Sequence, residues 1–310
     1  MKRTISCLLL GGVLFGASPA FADGAVIATS ALKGGDTRAR EGGIALARAS
    51  DASSFAAVAA LRAELIARDS HKRGRFASVT PALRGLGARA LWPMLEELAV
   101  ASIGKSDMAQ TAWVAWRLDL LEALGALRDR RALAVLEAAT AAEVDDPAVT
   151  TAAAQALGKL GTERAAKKLI ALSGAAKKRR LAVLAGMGHC RRQIVAEHLG
   201  HALVGARDAS EIRMLARSLG DVGNAWAWQT PIVRASGEES SVRATAADAL
   251  VQAFRATTVD SVRAALTEAL LVVDDASTRA LIRDAKRGAT PSQIAALDAL
   301  LARIATSPLH

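Results

Sequence analysis

The chain has 310 residues, of which 52% are hydrophobic and only 3% aromatic, and it contains no tyrosine. Its formal net charge is +10 at pH 7. Since β-sandwiches are enriched in aromatic and β-branched residues, this composition, dominated by Ala, Leu, Val and Arg, argues against a β-sandwich and predicts an all-α fold.

The first residues have the features of an export signal. Lys2 and Arg3 precede an apolar stretch, which ends in a small-x-small pattern at residues 20–22. We therefore predict a signal peptide over residues 1–22, a mature chain that begins at Asp23, and a periplasmic or secreted location. The apolar stretch is shorter than the about 20 residues that span a bilayer, and no later segment is long enough. An uncleaved N-terminal anchor is the alternative.

Removal of the signal peptide lowers the net charge from +10 to +8, because Lys2 and Arg3 are lost and no acidic residue is. Cys190 is then the only cysteine. An intramolecular disulfide is therefore impossible within the mature chain, and its stability must come from packing.

The rest of the sequence predicts a nearly continuous series of helices. Residues 23–37 lack helical periodicity and predict a flexible leader. Residues 38–117 are helical by pattern but match no repeat well, and we interpret them as degenerate repeats that cap an array. Residues 118–306 carry a helix-pair signature about every 30 residues: an apolar run, an LG turn, a polar turn and a second apolar run.

Three copies define this signature. It reads LEALGALRDRRA from Leu121, AQALGKLGTERA from Ala154 and ARSLGDVGNAWA from Ala216. Two further amphipathic helices begin near Ser241 and Ser261, and these serines are the expected N-caps. A lone helix pair cannot bury its apolar stripe without a neighbour on each side. The sequence therefore predicts an α-solenoid of stacked antiparallel helix pairs.

The segments 148–166, 211–227 and 240–254 resemble HEAT repeats. They resemble in particular the HEAT-like form first associated with phycobilisome lyases, whose pattern runs roughly V-R-x-x-A-x-x-A-L-G-x-L-G. The resemblance is clearest from about residue 118 to 282. Together with the predicted signal peptide, it implies an exported, bacterial-type member of this family with a protein-binding surface.

The resemblance also implies where that surface lies. In such families the second helix of each pair lines a concave face, and polar residues on this face contact the partner. In this chain the corresponding helices would begin near Val149, Glu211 and Ser241.

The densest charge feature is a basic segment that contains no Asp or Glu: Lys167, Lys168, Lys177, Lys178, Arg179, Arg180, Arg191 and Arg192. Such a segment attracts anions over a range of about 8 Å at physiological salt. Its last six residues are candidates for contact with an acidic protein face, anionic lipid or acidic glycan. The alternative is a set of solvated helix edges. We do not expect nucleic acid as a partner, because aromatic residues are not interleaved with these charges.

A second concentration contains His189, Cys190, His198 and His201. His198 and His201 are three residues apart, so on a helix they would share a face and could bind one zinc ion. Cys190 precedes His198 by about 12 Å of helix at 1.5 Å per residue and cannot complete that site. We expect no metal and no cofactor, with His198 and His201 as weak zinc candidates and an exposed histidine pair as the alternative.

Trp113 and Trp116 are the most suggestive aromatic pair, because their spacing places them on one helical face. There they could form a stacking platform for a sugar or an anchor for a partner. The alternative is that both side chains belong to the core between repeats.

The sequence contains none of the common catalytic motifs, such as a glycine-rich phosphate loop, a nucleophile elbow or HExxH. The leading hypothesis is therefore a non-enzymatic, exported scaffold that binds a protein partner through its concave face. One alternative is an envelope module that binds anionic lipid or glycan through residues 167–192. Another is a lyase-like or metal-dependent enzyme, by analogy with the repeat family.

Overall fold

The computed structural model describes residues 24–306 except 33, 73, 75, 101–107, 145 and 176. The predicted signal peptide over residues 1–22 lies outside these residues. The described residues form sixteen α-helices joined mostly by short turns and contain no β-strand, which confirms the all-α prediction.

The helices are, in chain order, α1 (Gly34–Ser50), α2 (Ala52–His71), α3 (Thr80–Gly85), α4 (Leu91–Ala99), α5 (Gln110–Leu127), α6 (Leu133–Ala141), α7 (Pro147–Lys159), α8 (Glu163–Leu172), α9 (Lys177–Met187), α10 (Gln193–Gly205), α11 (Ala209–Gly223), α12 (Pro231–Arg234), α13 (Glu239–Ala256), α14 (Asp260–Val273), α15 (Thr278–Ala285) and α16 (Pro291–Ala305). Within this part of the chain, no single helix is long and apolar enough to cross a membrane, and only α1 and α2 counted together, bent by 101°, meet that requirement.

From α4 onward the helices stack in two rows. The first row contains α4, α6, α8, α10, α13 and α15, and the second row contains α5, α7, α9, α11 and α14. Each second-row helix packs on the first-row helix that precedes it, and neighbours within a row contact each other. This arrangement is an α-solenoid of helix pairs, and a continuous apolar core runs between the two rows.

The LG signature marks the contact between neighbouring second-row helices. It was expected to be a turn, but Gly125 lies inside α5 and Gly220 lies inside α11. A Cβ atom on Gly125 would lie 2.8 Å from the Cα atom of Ala156 in α7, and one on Gly220 would lie 3.2 Å from the Cα atom of Ala269 in α14. Glycine is therefore needed where two helix backbones approach this closely.

The pair α13 and α14 corrects the expected order of the repeats. The helix near Ser241 was expected in the second row, but it is α13 and lies in the first row, beside α10 and α15. The second-row position next to α11 belongs to α14. The two helices that share the sequence Ser-Val-Arg therefore form one pair and do not belong to two separate repeats. Their N-caps are Glu238 and Val259, so Ser241 and Ser261 lie in the first helical turn.

The segment expected as a flexible leader over residues 23–37 is packed in part. Residues 25–27 are buried, and the amide of Ala25 donates a hydrogen bond to the carbonyl of Glu97 at 2.9 Å. Helix α1 already begins at Gly34. The leader prediction rested on missing periodicity and overlooked that an Ala-Val-Ile segment can bury itself without forming a helix.

Candidate functional site

The basic segment is divided among three places: Lys167 and Lys168 lie in α8, and the other six residues lie at the two ends of α9. Residues 177–180 form the first turn of this helix, and Arg191 and Arg192 lie in the turn that leads to α10. An eleven-residue helix separates its ends by about 16 Å. The segment therefore does not form one patch.

Acidic residues from distant parts of the sequence neutralise several of these charges. Arg180 Nη1 lies 2.5 Å from Glu211 Oε1, and Arg192 Nη2 lies 2.6 Å from Glu238 Oε1. Lys178 is exposed, and the side chain of Lys177 lies outside the described atoms. The segment lacks acids along the chain but is paired with them in space, which corrects the expectation of an acid-free surface.

The tryptophan pair belongs to the core. Trp116 is 0% exposed and Trp113 is 7% exposed, so both side chains belong to the core between repeats, as in the alternative given above, and they do not form a stacking platform. The indole N–H of Trp116 donates to Glu97 Oε2 at 3.2 Å, and Arg62 Nη1 donates to both oxygens of Glu97 at 2.8 and 2.7 Å. Burial raises the pKa of Glu97, whereas Arg62 opposes this shift. These groups tie α2, α4 and α5 together.

The histidine and cysteine candidates do not converge. His198 Nε2 lies 2.8 Å from Ser173 Oγ, and burial lowers the pKa of His198. His201 is exposed. Cys190 is fully buried, and burial raises the pKa of its thiol to about 12. Among the described residues, no three His, Cys, Asp or Glu side chains come together to hold a metal ion.

A groove crosses four consecutive helices of the second row. It has a volume of about 690 Å³. Its lining includes Gln155 of α7, Ala185 of α9, Arg217 of α11 and Glu268 of α14. The sequence identified α7 and α11 as groove helices and missed α14, although α14 carries the same Val-Arg pattern.

The groove combines small residues with charges of both signs. Helix α14 contributes Ala264, Ala265 and Ala269 to its lining. Arg213 and Arg217 are exposed and one helical turn apart on α11, and Glu268 is exposed on α14. Arg213 Nη1 donates to Ser261 Oγ at 3.2 Å, which links α11 to α14 across the groove.

A second, smaller pocket lies where the second-row helices α5, α7 and α9 end. It has a volume of about 290 Å³. Its ionisable lining residues are Arg128, Arg130, His189, Arg191 and Arg192. Residues of the α7–α8 turn and of the segment 232–236 complete the lining. We call this second pocket the arginine pocket. Arg128 and Arg130 could not be assigned to this pocket from the sequence, because they are about 60 residues away from Arg191 along the chain.

One comparison, with models of protein families, agrees with the two-row architecture over residues 108–188. A comparison with curated proteins gives no match. HEAT repeats commonly act as scaffolds for protein interactions. Residues 108–188, which include α5 to α9, match the family model for HEAT repeats, and this match supports a HEAT-like repeat family for the α-solenoid described above.

Proposed function

We propose that the chain is a non-enzymatic, exported scaffold of the cell envelope that binds a protein partner along the second-row groove. The observation that carries this proposal is the continuity of the groove across α7, α9, α11 and α14. A surface that crosses several repeats suits an extended or helical segment of a partner, which is how stacked repeats provide long binding surfaces.

The chemistry of the groove also favours a protein partner. The alanines of α14 present little side-chain bulk, so a partner can approach the backbone of this helix closely. Arg213 and Arg217 on one side and Glu268 on the other provide charges that fix the register of a partner with complementary charges. A buried thiol with a raised pKa is a poor nucleophile, which favours this proposal over the lyase-like alternative.

Site-specific photo-crosslinking in the native envelope tests the proposal. A photoreactive residue replaces Ala264, which is exposed in the groove, or Ala295, which is exposed on α16 away from it. We expect a defined protein adduct from position 264 only. Equal adducts at both positions, or none above background at position 264, would contradict binding in the groove.

Charge reversal on the groove gives a second test. We expect Arg213→Glu combined with Arg217→Glu to remove most of the adduct at position 264, because both guanidinium groups face the groove. The matched control is Arg303→Glu, since Arg303 is exposed on α16 and outside the groove. If the double variant and the control gave the same yield, these arginines would not contribute to recognition.

Export is tested separately. We expect cell fractionation to recover the protein outside the cytoplasm with a mature N-terminus at Asp23, as measured by intact mass. Ala22→Arg should block cleavage, because signal peptidases require a small residue at that position. Recovery of the wild-type chain in the cytoplasm with residues 1–22 attached would refute export.

A further inference from the structure

The arginine pocket is assembled from three successive turns of the solenoid. Arg128 is the C-cap of α5, and Arg130 follows it in the turn before α6. His189, Arg191 and Arg192 lie between α9 and α10. Cations are common near helix C-termini because the ends of helices carry partial negative charge. That effect accounts for a single arginine at a helix end. For several arginines in one pocket, what matters is whether each guanidinium group has a hydrogen-bond or ion-pair partner within the protein.

Two of the arginines have partners. Arg128 Nη1 donates to the carbonyl of Lys159 at 2.6 Å, and Arg192 Nη2 is paired with Glu238 at 2.6 Å. Arg191 is different, because its Nε atom is buried and has no hydrogen-bond partner. A buried donor on a charged group is costly unless something accepts its hydrogen bond.

The groups around Arg191 add positive charge. Burial lowers the pKa of Arg191 to about 10, and Arg128 acts in the same direction. Burial also lowers the pKa of Lys159, with Arg128 contributing. His189 responds in the same way: burial, Lys159, Arg191 and Arg128 together lower its pKa to about 4. Asp221 is the acid that partly offsets Arg191.

The backbone at Arg128 is also unusual. Its φ of 52° and ψ of 26° place it in the left-handed region, where a helix C-cap is ordinarily glycine or asparagine. An arginine at this position is strained relative to glycine, and its side chain enters the pocket. A residue held in a strained conformation beside a cluster of like charges indicates a binding role.

We propose that the arginine pocket binds a tetrahedral oxyanion of the phosphate or sulfate type, either free or at the end of a larger molecule. Guanidinium groups donate paired hydrogen bonds to such anions, and Arg128, Arg130, Arg191 and Arg192 all line this pocket. The pocket's volume of about 290 Å³ equals the space of roughly ten waters, which suits a small anion with a few waters. This pocket shares no lining residue with the second-row groove.

Binding is measured on the mature protein with inorganic phosphate as the probe, at constant ionic strength maintained with chloride. Phosphate should raise the melting temperature in a saturable manner, as expected for a ligand that binds only the folded state. Arg191→Gln should weaken the phosphate affinity about tenfold or more, the effect of losing a charged hydrogen bond. Arg130→Gln, an exposed change that leaves packing intact, should weaken it about threefold.

The matched control is Lys178→Gln, an exposed cation at the opposite end of α9. It should leave the phosphate affinity within about twofold of the wild type, because it lies more than a Debye length from the pocket. If Lys178→Gln weakened phosphate binding as much as Arg191→Gln, the effect would be diffuse electrostatics and the proposal would be wrong.

Nuclear magnetic resonance of the His189 imidazole gives a readout that does not depend on the stability of a variant. A bound anion should raise the pH at which His189 titrates, because it offsets the field of Lys159, Arg128 and Arg191. In Arg130→Gln the same shift should need about threefold more phosphate to reach half of its maximum, in line with the weaker affinity expected for this variant. A titration of His189 that phosphate leaves unchanged in the wild type would overturn the proposal.

Vesicles that contain phosphatidic acid distinguish the two sources of the anion. If the protein binds them and free phosphate competes, the site accepts a phosphate carried by a lipid. If phosphate stabilises the protein and vesicles do not bind, the site accepts the free ion. Saturable phosphate binding is required in both cases, and its absence in the wild type would refute the site.

Discussion

The packing of α5 against α7 predicts that Gly125→Ala destabilises the protein, although alanine is the better helix former. The added Cβ would lie 2.8 Å from the Cα atom of Ala156 and 3.1 Å from its Cβ atom. Carbon atoms in contact are normally about 3.5–4.0 Å apart, so the two helices must separate by several tenths of an ångström. Overpacking of this kind costs about 1–3 kcal/mol, whereas the gain in helix propensity is about 1 kcal/mol.

Gly42→Ala is the matched control. Gly42 lies inside α1, and no heavy atom is within 4 Å of a Cβ built at this position. This variant gains the helix propensity without the clash, so we expect it to be more stable than the wild type by about 0.5–1 kcal/mol. The difference between Gly125→Ala and Gly42→Ala therefore isolates the overpacking term of about 1–3 kcal/mol.

The assay is urea unfolding followed by far-ultraviolet circular dichroism, with hydrogen exchange as a local measure. Each repeat contacts only its neighbours, so Gly125→Ala should increase exchange mainly in α5 and α7. Unfolding midpoints that were equal for the two variants would refute the close approach of these helices. So would increased exchange confined to helices remote from α5.

Three further effects follow from the buried polar groups. Arg62→Met should cost about 2–3 kcal/mol in urea unfolding because Glu97 loses its buried partner, whereas Arg68→Met, in an exposed pair, should have a much smaller effect. Asp119→Ala should cost about 2–3 kcal/mol and loosen α3 in hydrogen exchange, because Asp119 accepts hydrogen bonds from the start of α3 and the residues before it. The pKa of His189 is about 4 in the folded protein and 6.5 in the unfolded chain, so as the pH falls the unfolded state binds the proton first. The free energy of unfolding should therefore be full above pH 6.5 and fall towards pH 4. The loss should be at most about 3 kcal/mol, and smaller than that because the ring is partly exposed. In His189→Gln this component of the pH dependence should disappear; an unchanged profile would contradict the assignment.

The features that depend on local sequence were predictable. Apolar periodicity identified the helices. A threonine directly before Pro291 is typical of a helix start, and Thr290 Oγ1 accepts a hydrogen bond from the amide of Gln293 in the first turn of α16. Pro147 is the first residue of α7, as the preference of proline for helix starts predicts. These signals operate within one helical turn, so a single sequence contains all the information that they need.

The features that depend on contacts between distant residues were not predictable. Arg180 pairs with Glu211 across 31 residues, so a count of charges along the chain overestimated the basic surface. The arginine pocket was missed for the same reason, because Arg128 and Arg191 meet only after α5, α7 and α9 have stacked. The predicted row of α13 was wrong for a related reason. The sequence Ser-Val-Arg occurs in both α13 and α14, and it does not show whether these helices belong to two repeats or form one pair.

Because Cys190 is buried, the reactivity of its thiol reports local opening of the protein. The amide nitrogen of Cys190 lies so close to Gly158 that a Cβ on this glycine would be 3.0 Å from it, so the thiol is enclosed where α7 meets the turn after α9. A thiol reagent can react only after these elements separate. Since no other cysteine follows residue 22, the labelling rate of a chain without residues 1–22 would measure how often the middle of the solenoid opens, without an introduced probe.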